Sequence, residues 1–167
     1  MTELTIRKAA PGDAGLVHFF VEALAVYEKL RHEMVATEED IDRALFGPRP
    51  FAEAVIADWG GIPVGFALYF YNFSTFEGRP SLYLEDLFVL PEHRGKGIGR
   101  ALLAHLACIA VDNDCARFEW TVLDWNEPSI RFYEGLGAKR QDEWLIYRLT
   151  GDALAAMASE RAGLESP

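Results

Sequence analysis

Residues 82–99, LYLEDLFVLPEHRGKGIG, decide how the rest of the chain is read. An apolar run stops at Pro91, and Arg94-Gly95-Lys96-Gly97-Ile98-Gly99 then opens directly into a helical pattern. This is the order of a strand, a tight glycine turn and a helix N-terminus. The first helical turn leaves backbone N–H groups without intrahelical partners and carries partial positive charge, so it is a natural seat for phosphate. Glycine lets the backbone approach an anion with no Cβ in the way. Two adjacent carboxylates, Glu85 and Asp86, interrupt the otherwise apolar strand. An anion cradle beside misplaced acids points to an enzyme site.

Outward from that stretch, the elements alternate. Leu4 to Lys8 reads as an opening strand, and Pro11-Gly12-Asp13 starts a helix through Tyr27. Thr37 followed by Asp40 resembles a capping arrangement for a short helix ending near Gly47. Phe51–Trp59 and Val64–Phe73 read as a hairpin joined by Gly60-Gly61-Ile62-Pro63. After the Leu82–Leu90 strand comes a helix from Gly97 to about Val111, with Leu102, Leu103, Leu106 and Ile109 inward. Arg117–Leu123 is strand-like, Asn126 begins a helix ending at Gly137, and Trp144–Leu149 reads as a last strand before an alanine-rich helix. This order predicts a mixed α/β layer fold.

Composition narrows the function classes. The chain has 167 residues, half of them hydrophobic and a quarter charged, enough for one domain with one core. No apolar run reaches the length of about 20 residues that a membrane span needs, and the N-terminus lacks a signal-peptide layout, so a cytoplasmic protein is expected. A net charge of −10 argues against nucleic acid as a partner and suits a cationic ligand. Cys108 and Cys115 form no disulfide framework, and Cys108 reads as a reduced, buried thiol. His18, His32, His93 and His105 show no metal-ligand spacing, so no metal is expected, and His93 reads as a solvated loop residue.

The glycine spacing separates the rival phosphate-binding loops. A dinucleotide fingerprint is G-x-G-x-x-G, whereas Gly95, Gly97 and Gly99 follow G-x-G-x-G, and a P-loop would need Ser or Thr after Gly-Lys. Arg94-Gly95-Lys96-Gly97-Ile98-Gly99 resembles the acetyl-CoA motif of the GNAT N-acetyltransferases. YLEDLFVLPEHRGKGIG, LDWNEPSIRFYEGLGA and VGFALYFYNFSTFEGRPSLYLEDLFV together resemble the spermidine/spermine and thialysine branch of that family. The resemblance implies a mixed, mostly antiparallel twisted sheet of about six to seven strands flanked by helices. It also implies a single N-acetyltransferase domain over residues 1–155, a C-terminal tail over 156–167, and a homodimer.

It further implies roles for individual residues. Arg94, Gly95, Lys96, Gly97, Ile98, Gly99 and Arg100 would hold the CoA pyrophosphate. Strand amides at Leu87, Phe88 and Val89 would pair with the pantetheine arm and aim a donor at the thioester oxygen. Asn126 and Ser129 would add cofactor contacts; Asn126 can equally serve only as a helix cap. Glu85 would be the general base taking a proton from the substrate ammonium, against the plainer reading of a carboxylate on a wet sheet face. In a regular strand Glu85 and Asp86 point to opposite faces, and Asp86 is either an amine contact or a structural partner. Tyr133 would be the general acid; by helical spacing alone it is a core ring.

Tyr27, Glu28, Glu85, Asp86, Glu119 and Trp120 are the implied substrate residues, with Glu33, Asp142 and Trp144 at the margins. Residues 72–79, NFSTFEGR, lack an acid-and-Trp pair expected near the substrate of the animal polyamine enzymes, while thialysine-type members fit. The expected activity is acetyl transfer from acetyl-CoA to a small cationic amine (polyamine, thialysine or related diamine) by direct attack. The rival readings are a CoA-binding sensor or scaffold without turnover, and an acetyltransferase for another amine such as a peptide amine or aminoglycoside.

Overall fold

A computed structural model describes residues 3–164. These fall into two compact units that divide between Thr121 and Val122. The first unit holds β1 (Leu4–Lys8), α1 (Ala14–Tyr27), α2 (Glu38–Phe46), β2 (Glu53–Trp59), β3 (Ile62–Ser74), β4 (Arg79–Val89), α3 (Ile98–Asp112) and β5 (Arg117–Trp120). The second holds α4 (Glu127–Gly135) and α5 (Gly151–Leu164).

The sheet has five strands in the order β1-β2-β3-β4-β5. The first four pair antiparallel, and β5 joins β4 in parallel after the α3 crossover. The fold is therefore the mixed, mostly antiparallel sheet with helices that the family resemblance implies, with fewer strands than six or seven. The missing strand is Trp144–Leu149. Residues 144–149 form no strand, and Trp144, Leu145 and Ile146 are each 75% exposed. A β pattern forms a strand only when another strand supplies the ladder bonds, and among the described residues none does so here. At the C-terminus α5 runs to Leu164, so most of the stretch expected as a tail is helical.

Local chemistry explains the elements that fix the site. Gly60 and Gly61 adopt φ of 62° and 81°, the double positive-φ turn that matches strand twist in a tight hairpin, with Trp59 opposite Ile62. Thr37 and Asp40 form a reciprocal capping box at the start of α2. Arg7 on β1 reaches both Asp13 before α1 (2.7 Å) and Asp58 on β2 (3.0 Å), tying helix entry to the sheet.

The core lies between α1, α2 and one sheet face. Val17 and Phe20 pack with Ile56, Phe66 and Phe88, and the Phe20 and Phe66 rings stack at 5.4 Å. On α3 the buried residues are Ile98, Leu102, Leu103, Leu106 and Ala110. Cys108 is exposed rather than buried: it lies about 200° around the helix from Leu106, away from the inward stripe.

Candidate active site

The decisive local event is a bulge in β4. Leu68 pairs with Asp86, but the next residue, Tyr69, pairs with Leu84, so Glu85 is an extra residue on β4. The strand is thus irregular at the acid pair, and simple alternation no longer assigns Glu85 and Asp86 to opposite faces. Glu85 is exposed and Asp86 is more buried.

The neighbouring strand stops at the same place. β5 follows β4 only from Ser81–Arg117 to Leu84–Trp120, so residues 86–89 are paired with β3 on one side and not with β5 on the other. Backbone groups at Leu87, Phe88 and Val89 therefore make no ladder bonds to β5 along that edge. Beyond them, Gly95 and Gly97 adopt φ of 75° and 80°, and a Cβ built on either meets open space.

Gly97 is the N-cap of α3 and brings no side-chain cap. The helix ladder starts with Ala101 N–H donating to Gly97 O at 3.0 Å, which leaves the Ile98, Gly99 and Arg100 amides ahead of it. Arg94, Lys96 and Arg100 surround this turn with positive charge on an otherwise acidic chain. Uncapped amides, left-handed glycines and a strand edge not bonded to β5 together fit a pyrophosphate joined to an extended arm.

Acids and aromatic rings gather at the strand end. Burial raises the Asp86 carboxyl to about 7, with Glu85 and then Glu28 adding like-charge repulsion. Burial also raises the Glu28 carboxyl. Glu28 is the C-cap of α1, immediately after Tyr27. The Tyr27 ring lies 6.4 Å from Phe88 on β4. A cationic amine is the charge that relieves such a cluster.

The raised Asp86 carboxyl has a thermodynamic consequence. A free aspartyl group titrates near 3.9, so between about pH 4 and 7 the folded chain holds more protons than the unfolded one. Stability contributed by the protonated form is present at low pH and is lost as pH rises through 7. Asp86→Asn should raise the calorimetric Tm at pH 8 by about 3 °C or more, with the gain shrinking as pH falls and vanishing below about pH 4. Equal Tm values at pH 8 would show that Asp86 carries no such burden.

The remaining predicted residues occupy varied settings. Glu119 on β5 pairs with Arg117 at 3.6 Å, and the Trp120 ring meets Phe118 edge-on. In the second unit, the Asn126 side chain is buried and accepts the Ser129 amide at 3.4 Å as the cap of α4. Tyr133 lies on α4 and is half-buried, its ring 5.4 Å from Phe132.

Two contacts were not foreseen from the chain order. Lys96 places its ammonium 5.5 Å from the Trp59 ring and 3.3 Å from His93 Nδ1, so His93 is engaged by the loop. Arg94 lies over Tyr27 and Phe88. Lys96 is far from Trp59 in sequence, as Arg94 is from Tyr27, and only the packing of the folded chain brings them together.

Residues 21–138 match the family model described as Acetyltransferase (GNAT) family. The chain belongs to the GNAT acetyltransferase family. The matched segment spans the acid pair, the glycine turn and α4. This acetyltransferase is 35% identical to mouse thialysine N-epsilon-acetyltransferase, over 95% of its own length and 99% of that protein. It is 32% identical to an L-ornithine N5-acetyltransferase of Arabidopsis thaliana, over 91% and 86% of the two chains. Among solved structures it resembles an integron cassette protein of V. cholerae, with a TM-score of 0.78 and 31% identity over 93% and 97%. It is an N-acetyltransferase that acts on amines with acetyl-CoA as the donor.

Proposed function

We propose that this acetyltransferase transfers the acetyl group to the side-chain or terminal amine of a small cationic diamine of the thialysine, ornithine or polyamine type. The observation that carries the substrate class is the convergence of Glu28, Glu85 and Asp86 electrostatics at the end of β4. The names of the mouse and Arabidopsis relatives point the same way. Acetyl-CoA supplies an activated thioester, and the residues suited to hold it are Arg94–Arg100, the Leu87–Val89 backbone, and Asn126 with Ser129.

The proposed chemistry has no acyl-enzyme. Glu85 takes a proton from the substrate ammonium, so that the freed amine nitrogen bonds the acetyl carbon as the C–S bond breaks. Tyr133 gives its proton to the departing thiolate. Backbone N–H groups of the bulged strand stabilise the negative charge that develops on the thioester oxygen. Asp86 and Glu28 bind the amine's positive charges, with Tyr27, Glu119 and Trp120 beside them.

The proposal includes a single acetyltransferase domain over residues 1–155, a cytoplasmic location in keeping with the free cysteines, and a homodimer. Exposed apolar residues along 144–149 give the dimer a surface to cover.

Thiol release from acetyl-CoA decides the main claim. Screened across thialysine, ornithine, spermidine, aminoglycosides and peptide amines, the small diamines should give kcat/KM at least tenfold above the rest. No release with any amine would favour the sensor reading, and highest activity on aminoglycosides or peptides would replace the substrate class. Light scattering on the same preparation should give twice 18.7 kDa, and the single-chain mass would remove the dimer.

A further inference from the structure

Arg94 belongs to the cofactor loop, yet its contacts run to the amine side. Its Nε donates to Val89 O at 2.9 Å, which fixes the guanidinium at the end of β4. The guanidinium carbon then lies 4.6 Å from the Tyr27 ring centroid and 5.2 Å from that of Phe88. The rings are themselves 6.4 Å apart and tilted by 58°, so the cation sits against both. Only Nε and the flat faces are used in these contacts. The terminal N–H groups keep their donor capacity for phosphate.

Tyr27 ends α1, and the turn after it is strained. Glu28 caps the helix, and Lys29 adopts φ of 64°, a left-handed conformation that lysine rarely takes. The turn closes through Glu28 N–H to Leu24 O at 2.8 Å and Leu30 N–H to Ala25 O at 2.8 Å. A turn that stores local backbone strain persists because surrounding contacts hold it. The contact from the cofactor loop is the Arg94 stack on Tyr27.

We propose that Arg94 is a positioning residue for the amine: its guanidinium clamps Tyr27 to the end of β4, holds Glu28 in place, and so couples cofactor binding to amine affinity. This rests on the diamine reading above. The coupling is reciprocal, since a donor that orders Arg94 also orders the amine contacts, and a bound amine returns the same factor in donor affinity. Lysine cannot substitute, because it keeps the charge and loses the planar fork that stacks and donates at once.

A double-mutant cycle with acetyl-CoA and thialysine tests the clamp. With acetyl-CoA saturating for each variant, Arg94→Lys should raise KM for thialysine about fivefold to tenfold, a larger factor than its effect on kcat. In a Tyr27→Leu background the same change should move KM less than about twofold, whereas in Tyr27→Phe, which keeps the ring, the full effect should return. Equal KM effects in all three backgrounds would overturn the proposal and leave Arg94 as a phosphate ligand only.

A second measurement needs no turnover. Amide hydrogen exchange at residues 28–30 should quicken at least about fivefold in both Arg94→Lys and Tyr27→Leu, and unchanged exchange would equally overturn the clamp. If the wild-type chain released no thiol with any amine, the diamine reading would fall, and exchange alone would still decide the clamp.

Discussion

Gly97→Val is expected to raise the Kd for CoA at least about 100-fold, measured by titration calorimetry. At Gly97 the backbone has φ of 80°, and a Cβ built there meets nothing within 4 Å. The harm is therefore not a clash with the protein. It is the cost of holding a β-branched residue in left-handed space, about 1–2 kcal/mol or more. The chain escapes that strain by turning the loop to negative φ, which re-aims the amides of Ile98, Gly99 and Arg100. A hydrogen bond to a charged group contributes about 1.5–3 kcal/mol, so misplacing two of them gives a loss of the predicted size.

Gly78 supplies the control. It has φ of 65°, with open space around its Cβ, in the turn between β3 and β4. Gly78→Val should lower Tm through the same strain and leave CoA affinity within about twofold. A Gly97→Val chain that still bound CoA within about fivefold of wild type would move the pyrophosphate seat elsewhere.

The same glycine turn was legible in the sequence because its signal is local. Strand, glycine spacing and helix start all lie within residues 82–99, and each follows from backbone rules alone. The capping box at Thr37 and the Gly60-Gly61 hairpin were legible for the same reason. The bulge at Glu85 was not, because it is a property of pairing: the one-residue slip exists only between β3 and β4. Period-2 reasoning assumes a regular ladder, so it assigned Glu85 and Asp86 to opposite faces.

Helical periodicity erred at Cys108 for a related reason. An apolar helix such as α3 offers several plausible stripes, and the packing partner selects which one is buried. Trp144–Leu149 carries strand-forming residues, but propensity describes fit to a pleated, half-buried surface and supplies no partner. The Arg94–Tyr27 stack joins residues far apart in the chain and has no local signature at all. Chemistry concentrated in a short motif can be read in advance, whereas chemistry assembled across the sheet needs its register.

Tyr133→Phe should lower kcat about 100-fold to 1,000-fold while leaving the Kd for CoA within about twofold, because one positioned acid typically contributes about 10²–10⁴. The substitution removes a hydroxyl and keeps a ring of the same shape, so the Phe132–Tyr133 contact on α4 is retained. A tyrosine hydroxyl, with an ordinary pKa near 10, is protonated at neutral pH and ready to donate to a thiolate. The role has a signature beyond a slower rate. Protonation matters least when the departing thiol is already acidic, so acetyl donors with more acidic thiols should recover part of the lost rate in Tyr133→Phe. If the hydroxyl merely supported α4, the deficit would be the same for every donor and would travel with a lower Tm. A uniform deficit, or undiminished kcat, would remove Tyr133 as the acid and leave thiolate departure to another donor.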